Sequence, residues 1–131
     1  MKTLFILSSL SFLAIGCGSN FPDLSSADSA VVETHTRVGG GDRVSSSDLS
    51  LIQIRALAVW LSSHGTGWTR KIEDTAPDIM IDFRRGGVGF GFMNIHPDFI
   101  QVGTNYRPLS SDEWIALQVI LGNPGDDNPP Q

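Results

Sequence analysis

Few side chains in this chain combine a reactive type with a useful spacing, and the three histidines are the first to weigh. Neutral imidazole can act as a base or a metal ligand. His96 stands in His96-Pro97-Asp98, where a carboxylate two residues away could orient the ring and stabilise its charged form. His96 and Asp98 are therefore the alternative acid–base pair. His64 is 32 positions before His96, so only tertiary folding could join them, and no local ligand spacing defines a metal site. The simpler roles are a helix C-terminus for His64, a solvated turn for His96 and a linker position for His35. Gly-x-Ser-x-Gly, His-Glu-x-x-His and P-loop patterns are all absent from the sequence. Gly86-Gly87-Val88-Gly89-Phe90-Gly91 is glycine-rich, but it leads into a strand pattern rather than a helix. It therefore lacks the helix-terminal amides of a phosphate site. The leading expectation is no catalytic set, no metal and no cofactor.

The elements that would position these residues follow from periodicity and caps. Apolar positions at helical spacing predict a helix over 49–61, capped by Ser45-Ser46-Ser47-Asp48 and closed by Gly65. Strands are expected at 67–72, 78–85, 88–95 and 99–103. Gly86-Gly87 marks a two-residue hairpin between the middle two. That loop implies pairs whose numbers sum to 173, placing Ile79, Ile81 and Phe83 with Phe90 and Phe92 on one face. The opposite face would carry Met80, Asp82, Arg84, Gly89, Gly91 and Met93, charged and opened by glycine. It is the candidate binding face. Asp82 and Arg84 could pair there, and Arg84, Arg85 and Arg107 could form a basic spot or simply guard a hairpin edge. Ser110-Ser111-Asp112-Glu113 is a capping box opening a last helix that ends at Gly122-Asn123-Pro124. The expected fold is α+β: a four-stranded antiparallel meander with two helices on its apolar face, in the order α-β-β-β-β-α. Residues 31–38 are β-branched and alternate in charge, which suits an extra edge strand or, by a small preference, linker.

The N-terminus says where such a domain works. Met1-Lys2-Thr3 is followed by an uncharged stretch, residues 4–15, and then by Gly16-Cys17. A basic start, an apolar segment and a small residue before a cut make a secretory signal. The apolar segment is shorter than the roughly 20 residues of a membrane span. Cys17 is the only cysteine. Ala14-Ile15-Gly16-Cys17 resembles the lipobox of bacterial lipoproteins, although that family usually has leucine where Ala14 stands. The resemblance covers the signal alone. It implies cleavage of 1–16 and acylation of Cys17, palmitate being among the attached chains. It also implies a place in the cell envelope facing the periplasm or the exterior. Gly18, rather than aspartate, after the cysteine favours the outer over the inner membrane in a Gram-negative host.

The remainder divides into a tether over 17–45, a domain over 46–122 and a polar, disordered tail over 123–131. A flexible tether of that length would have a root-mean-square reach of about 30 Å. The whole chain has 131 residues and net charge −5; Lys2 is the only charge before Cys17, which leaves 8 basic against 14 acidic residues, or −6. That balance excludes nucleic acid and gives no attraction to an anionic membrane surface, so lipid on Cys17 would be the sole attachment. The leading functional expectation is a membrane-anchored module for binding a protein partner in the envelope, as an accessory subunit or an inhibitor or immunity-type binder. The alternatives are a small envelope hydrolase using His96 and Asp98, or a metal or small-ligand carrier.

Overall fold

A computed structural model describes residues 21–72 and 75–122. Residues 1–20 and 123–131, which include Cys17, the expected signal segment and the expected tail, lie outside the described residues. After a 3-10 turn at Leu24–Ser26, the chain runs β1 (Ser29–Val38), β2 (Gly41–Asp48), α1 (Leu51–Ser63) and β3 (Thr69–Arg70). It continues through β4 (Ile79–Arg85), β5 (Val88–His96), β6 (Phe99–Val102), β7 (Asn105–Pro108) and α2 (Ser111–Leu121). The strands form one antiparallel sheet in the order β2-β1-β4-β5-β6-β7-β3. Among the described residues the fold is α+β with two α-helices, and its sheet has seven strands rather than the expected four.

The largest correction concerns residues 29–48. β1 is neither linker nor edge: it pairs with β2 on one side and with β4 on the other. Ala30, Val32 and Thr34 face the core while Val31, Glu33 and His35 alternate with them. Two of the three inward side chains are small or polar, so the hydrophobic signal is weak. Hydrogen bonding along both edges compensates for it. The buried Thr34 hydroxyl shares a 2.6 Å hydrogen bond with Ser45 Oγ. The domain thus begins well before residue 46, and the 17–45 tether is not supported. Gly39 and Gly40, at φ 56° and 83°, make the same left-handed two-residue loop as Gly86 and Gly87, at 59° and 81°.

The serines of 45–48 belong to β2, so they do not cap the first helix. Ser50 does. Its hydroxyl accepts from Gln53 N–H at 3.1 Å and Gln53 Oε1 accepts from Ser50 N–H at 2.8 Å. His64, not Gly65, closes that helix, and the left-handed residue beyond it is Gly67. The second helix follows expectation, with Ser110 and Glu113 as a capping box and Gly122 as a left-handed cap. Both helices feed one core with a single face of the sheet. Ile54, Leu57, Trp60, Leu61, Leu117 and Leu121 meet Ala30, Val32, Ile79, Ile81, Phe83, Met93, Ile95, Ile100 and Val102.

Within the β4–β5 hairpin, Arg85 pairs with Val88 and Arg84 with Gly89, as the loop dictates. The register then shifts by one, so that Phe83 pairs with Gly91, Ile81 with Met93 and Ile79 with Ile95. A β-bulge adds one residue to β5, and with a side-chain period of two this exchanges the faces of everything beyond it. Met93 becomes core and Phe92 comes out.

Candidate functional site: the open face of the sheet

The face of β1, β4 and β5 away from the helices carries Val31, Glu33, Met80, Asp82, Arg84, Phe92 and Asn94, which line a shallow groove. At its centre the Arg84 guanidinium donates to Asp82 Oδ2 at 2.8 Å. Met80 (39 % exposed) and Phe92 (46 % exposed) stand beside that pair. Gly89 lies against it: a Cβ there would come 3.0 Å from Asp82 Oδ1. Four residues of the expected face, Met80, Asp82, Arg84 and Gly89, are therefore brought together.

The other two are not. Met93 is 0 % exposed in the core. Gly91 lies on the core side, where an added Cβ would meet Pro22 Cγ at 3.0 Å and Leu24 at 3.6 Å. Gly91→Ala is therefore expected to lower stability by about 1 kcal/mol through crowding of the 22–24 segment, read from the midpoint of urea unfolding. Alternation without a bulge puts Phe92 inside and Met93 outside, and the extra residue in β5 reverses both. The run Gly89-Phe90-Gly91 was the available signal, since glycine inside a strand often marks such an irregularity.

The basic spot does not assemble. Arg84 is held by Asp82. Arg85 donates to Ser26 Oγ at 2.6 Å and lies 4.4 Å from the centre of the Phe90 ring. Arg107 is on β7, where it donates to the Thr66 carbonyl at 2.8 Å and to Glu113 at 3.0 Å. Glu113 in turn accepts from Ser110 N–H at 2.9 Å, and His64 Nε2 stands 3.6 Å from its other oxygen. The Arg107 hydrogen bond, reinforced by that from Ser110, holds the Glu113 carboxyl down at about 2. His64 also stacks on Trp60 at 3.9 Å. This group ties the end of α1 to β7 and the start of α2.

His96 sits elsewhere. Its Nδ1 accepts from the Asp98 backbone N–H at 3.1 Å, the Asp98 carboxylate is 3.8 Å away, and its ring stacks on Phe99 at 4.9 Å. His96 also lines a cleft with His35, Asp42, Asp78, Trp114 and Gln118, at the end where the β1–β2 hairpin runs past β4. His35 in that hairpin lies 3.3 Å from Glu33 and 3.4 Å from Asp42. Among the described residues, no group of three or more His, Cys, Asp or Glu is arranged to hold a metal ion. No helix of the described residues is long and apolar enough to cross a membrane. Compared with protein-family models, curated proteins and solved structures, the chain gives no match.

Proposed function

We propose that this protein is a lipid-anchored component of the bacterial cell envelope, more suited to the outer than the inner membrane, whose domain binds a protein partner through the open sheet face. One observation carries the binding part: Met80 and Phe92 stand exposed beside the Asp82–Arg84 pair, on a face the helices leave uncovered. Exposed apolar side chains flanking a central charge pair suit a protein-binding surface, where an aromatic anchor contributes most. The Cys17 lipobox supports the anchor, and the accessory-subunit and inhibitor roles both fit such a surface.

A photo-crosslinking side chain at position 92, in the lipidated protein in its own membranes, should capture one partner that mass spectrometry identifies. The purified partner should then bind the domain, and Phe92→Glu should weaken that binding by at least about tenfold with unfolding little changed. Equal binding by the variant would remove this face from the reading.

A hydrolase using His96 and Asp98 is the second reading, supported by the cleft that His96 lines. Release of fragments from cell-wall polymer by the wild type, and its loss in His96→Ala, would replace the binding reading.

A further inference from the structure

The helix layer has an outer surface of unusual composition. On α1, Ile52 (79 % exposed) and Val59 project away from the core; on α2, Ile115 and Val119 (68 % exposed) do the same. Ile115 and Val119, four apart, are direct neighbours on α2, while on α1 the exposed Arg55 and the half-buried Ala56 lie between Ile52 and Val59. The core-facing sides are filled by Ile54, Leu57, Leu61, Leu117 and Leu121. Although the chain has fourteen acidic residues, α1 has none, and its one charge is Arg55. On α2 the acids are confined to the first turn, at Asp112 and Glu113.

The position of the N-terminus bears on what covers this surface. Phe21 lies edge-on to Trp68 at 4.7 Å, and residues 21–25 share a concavity with Arg55, Ala58, Val59 and Ser62 of α1. Only residues 18–20 separate Phe21 from Cys17. Four residue steps extend to about 14 Å at most, well short of the 30 Å reach of a tether running to residue 45. Acyl chains on Cys17 would hold α1 beside the membrane surface and leave the domain little freedom to turn away.

We propose that the outer face of the helix layer, Ile52 and Val59 with Ile115 and Val119, docks on the lipid bilayer in which Cys17 is anchored. This rests on the lipid-anchor reading. The lipid supplies attachment, and the helix face sets orientation, lying in the interfacial region as amphipathic surface helices do. The helices and the groove are on opposite sides of the sheet. Docking one side on lipid therefore turns Met80, Asp82, Arg84 and Phe92 away from the membrane, toward a partner.

The test uses the full chain in its own membranes, with a benzophenone side chain at position 59, 119 or 92, one at a time. Illumination should give phospholipid adducts at 59 and 119, seen as mass shifts, and none above background at 92. Lipid adducts absent at 59 and 119, or equal at all three positions, would overturn the docked orientation, as would protein adducts at 59 and 119. Flotation of the wild type and of Cys17→Ala separates the two failures. If only the wild type floats and the adduct pattern fails, docking is wrong and the anchor stands. If Cys17→Ala floats equally, or the wild type does not float, the anchor reading falls and docking falls with it.

Discussion

Phe83→Ala is expected to destabilise the domain by about 3–5 kcal/mol, the largest loss for any single truncation discussed. Phe83 is fully buried in the middle of the core face. Its neighbours across β1 and β5 are Ala30 and Gly91. Two small residues beside a large one make room for the ring, so its removal leaves a cavity that they cannot refill. A domain of this size has only about 5–15 kcal/mol in total, and the variant should unfold at much lower urea with an unchanged slope. Phe92→Ala is the control. It removes the same group from the same hairpin, on the open face, and should cost no more than about 1 kcal/mol. Similar losses for the two would mean that the bulge in β5 does not exist and that both rings share one face.

Glu113→Gln is expected to cost about 1–2 kcal/mol at neutral pH and to change the acid limb of the stability profile. Glutamine can still accept from Ser110 N–H, as capping boxes allow, so the loss reports the Arg107 contact and the charge. The sign follows from the direction of the shift. The folded carboxyl is held below its ordinary 4.5, at about 2. Its stabilising contribution is therefore complete above about 4.5 and is lost as pH falls through the range down to about 2. Wild type and variant should differ in unfolding free energy at pH 7 and converge toward pH 2. A constant difference across that range would mean that the Arg107–Glu113 contact adds nothing as a charge pair.

The residues legible in the sequence were those whose signals are local. The Ser110–Glu113 capping box, the Gly122 cap and the Gly86-Gly87 loop occupy their expected places. Each is determined by hydrogen bonds or φ angles within a few residues. The same rule applied to Gly39-Gly40 would have found the β1–β2 hairpin. The run of three glycines there reads equally as a simple break, and β1 buries too little apolar area to correct that reading. The four-residue β7 is too short for any periodicity to show, and β3 (Thr69–Arg70) is only the middle of the strand expected over 67–72.

For the candidate site, Asp82 and Arg84 were legible because they lie on β4, before any irregularity, and strand alternation alone puts them on one side. Met93, Gly91 and Phe92 lie beyond the bulge, where one extra residue exchanges inside for outside. The sequence by itself therefore determined the α+β class, the second helix and its caps, one hairpin and half of the exposed face. Tertiary structure decided that β1 is interior and which side of β5 is buried, and it placed Phe21 against α1. Those features depend on pairing between strands distant in the chain and on how the core packs, which no local pattern encodes.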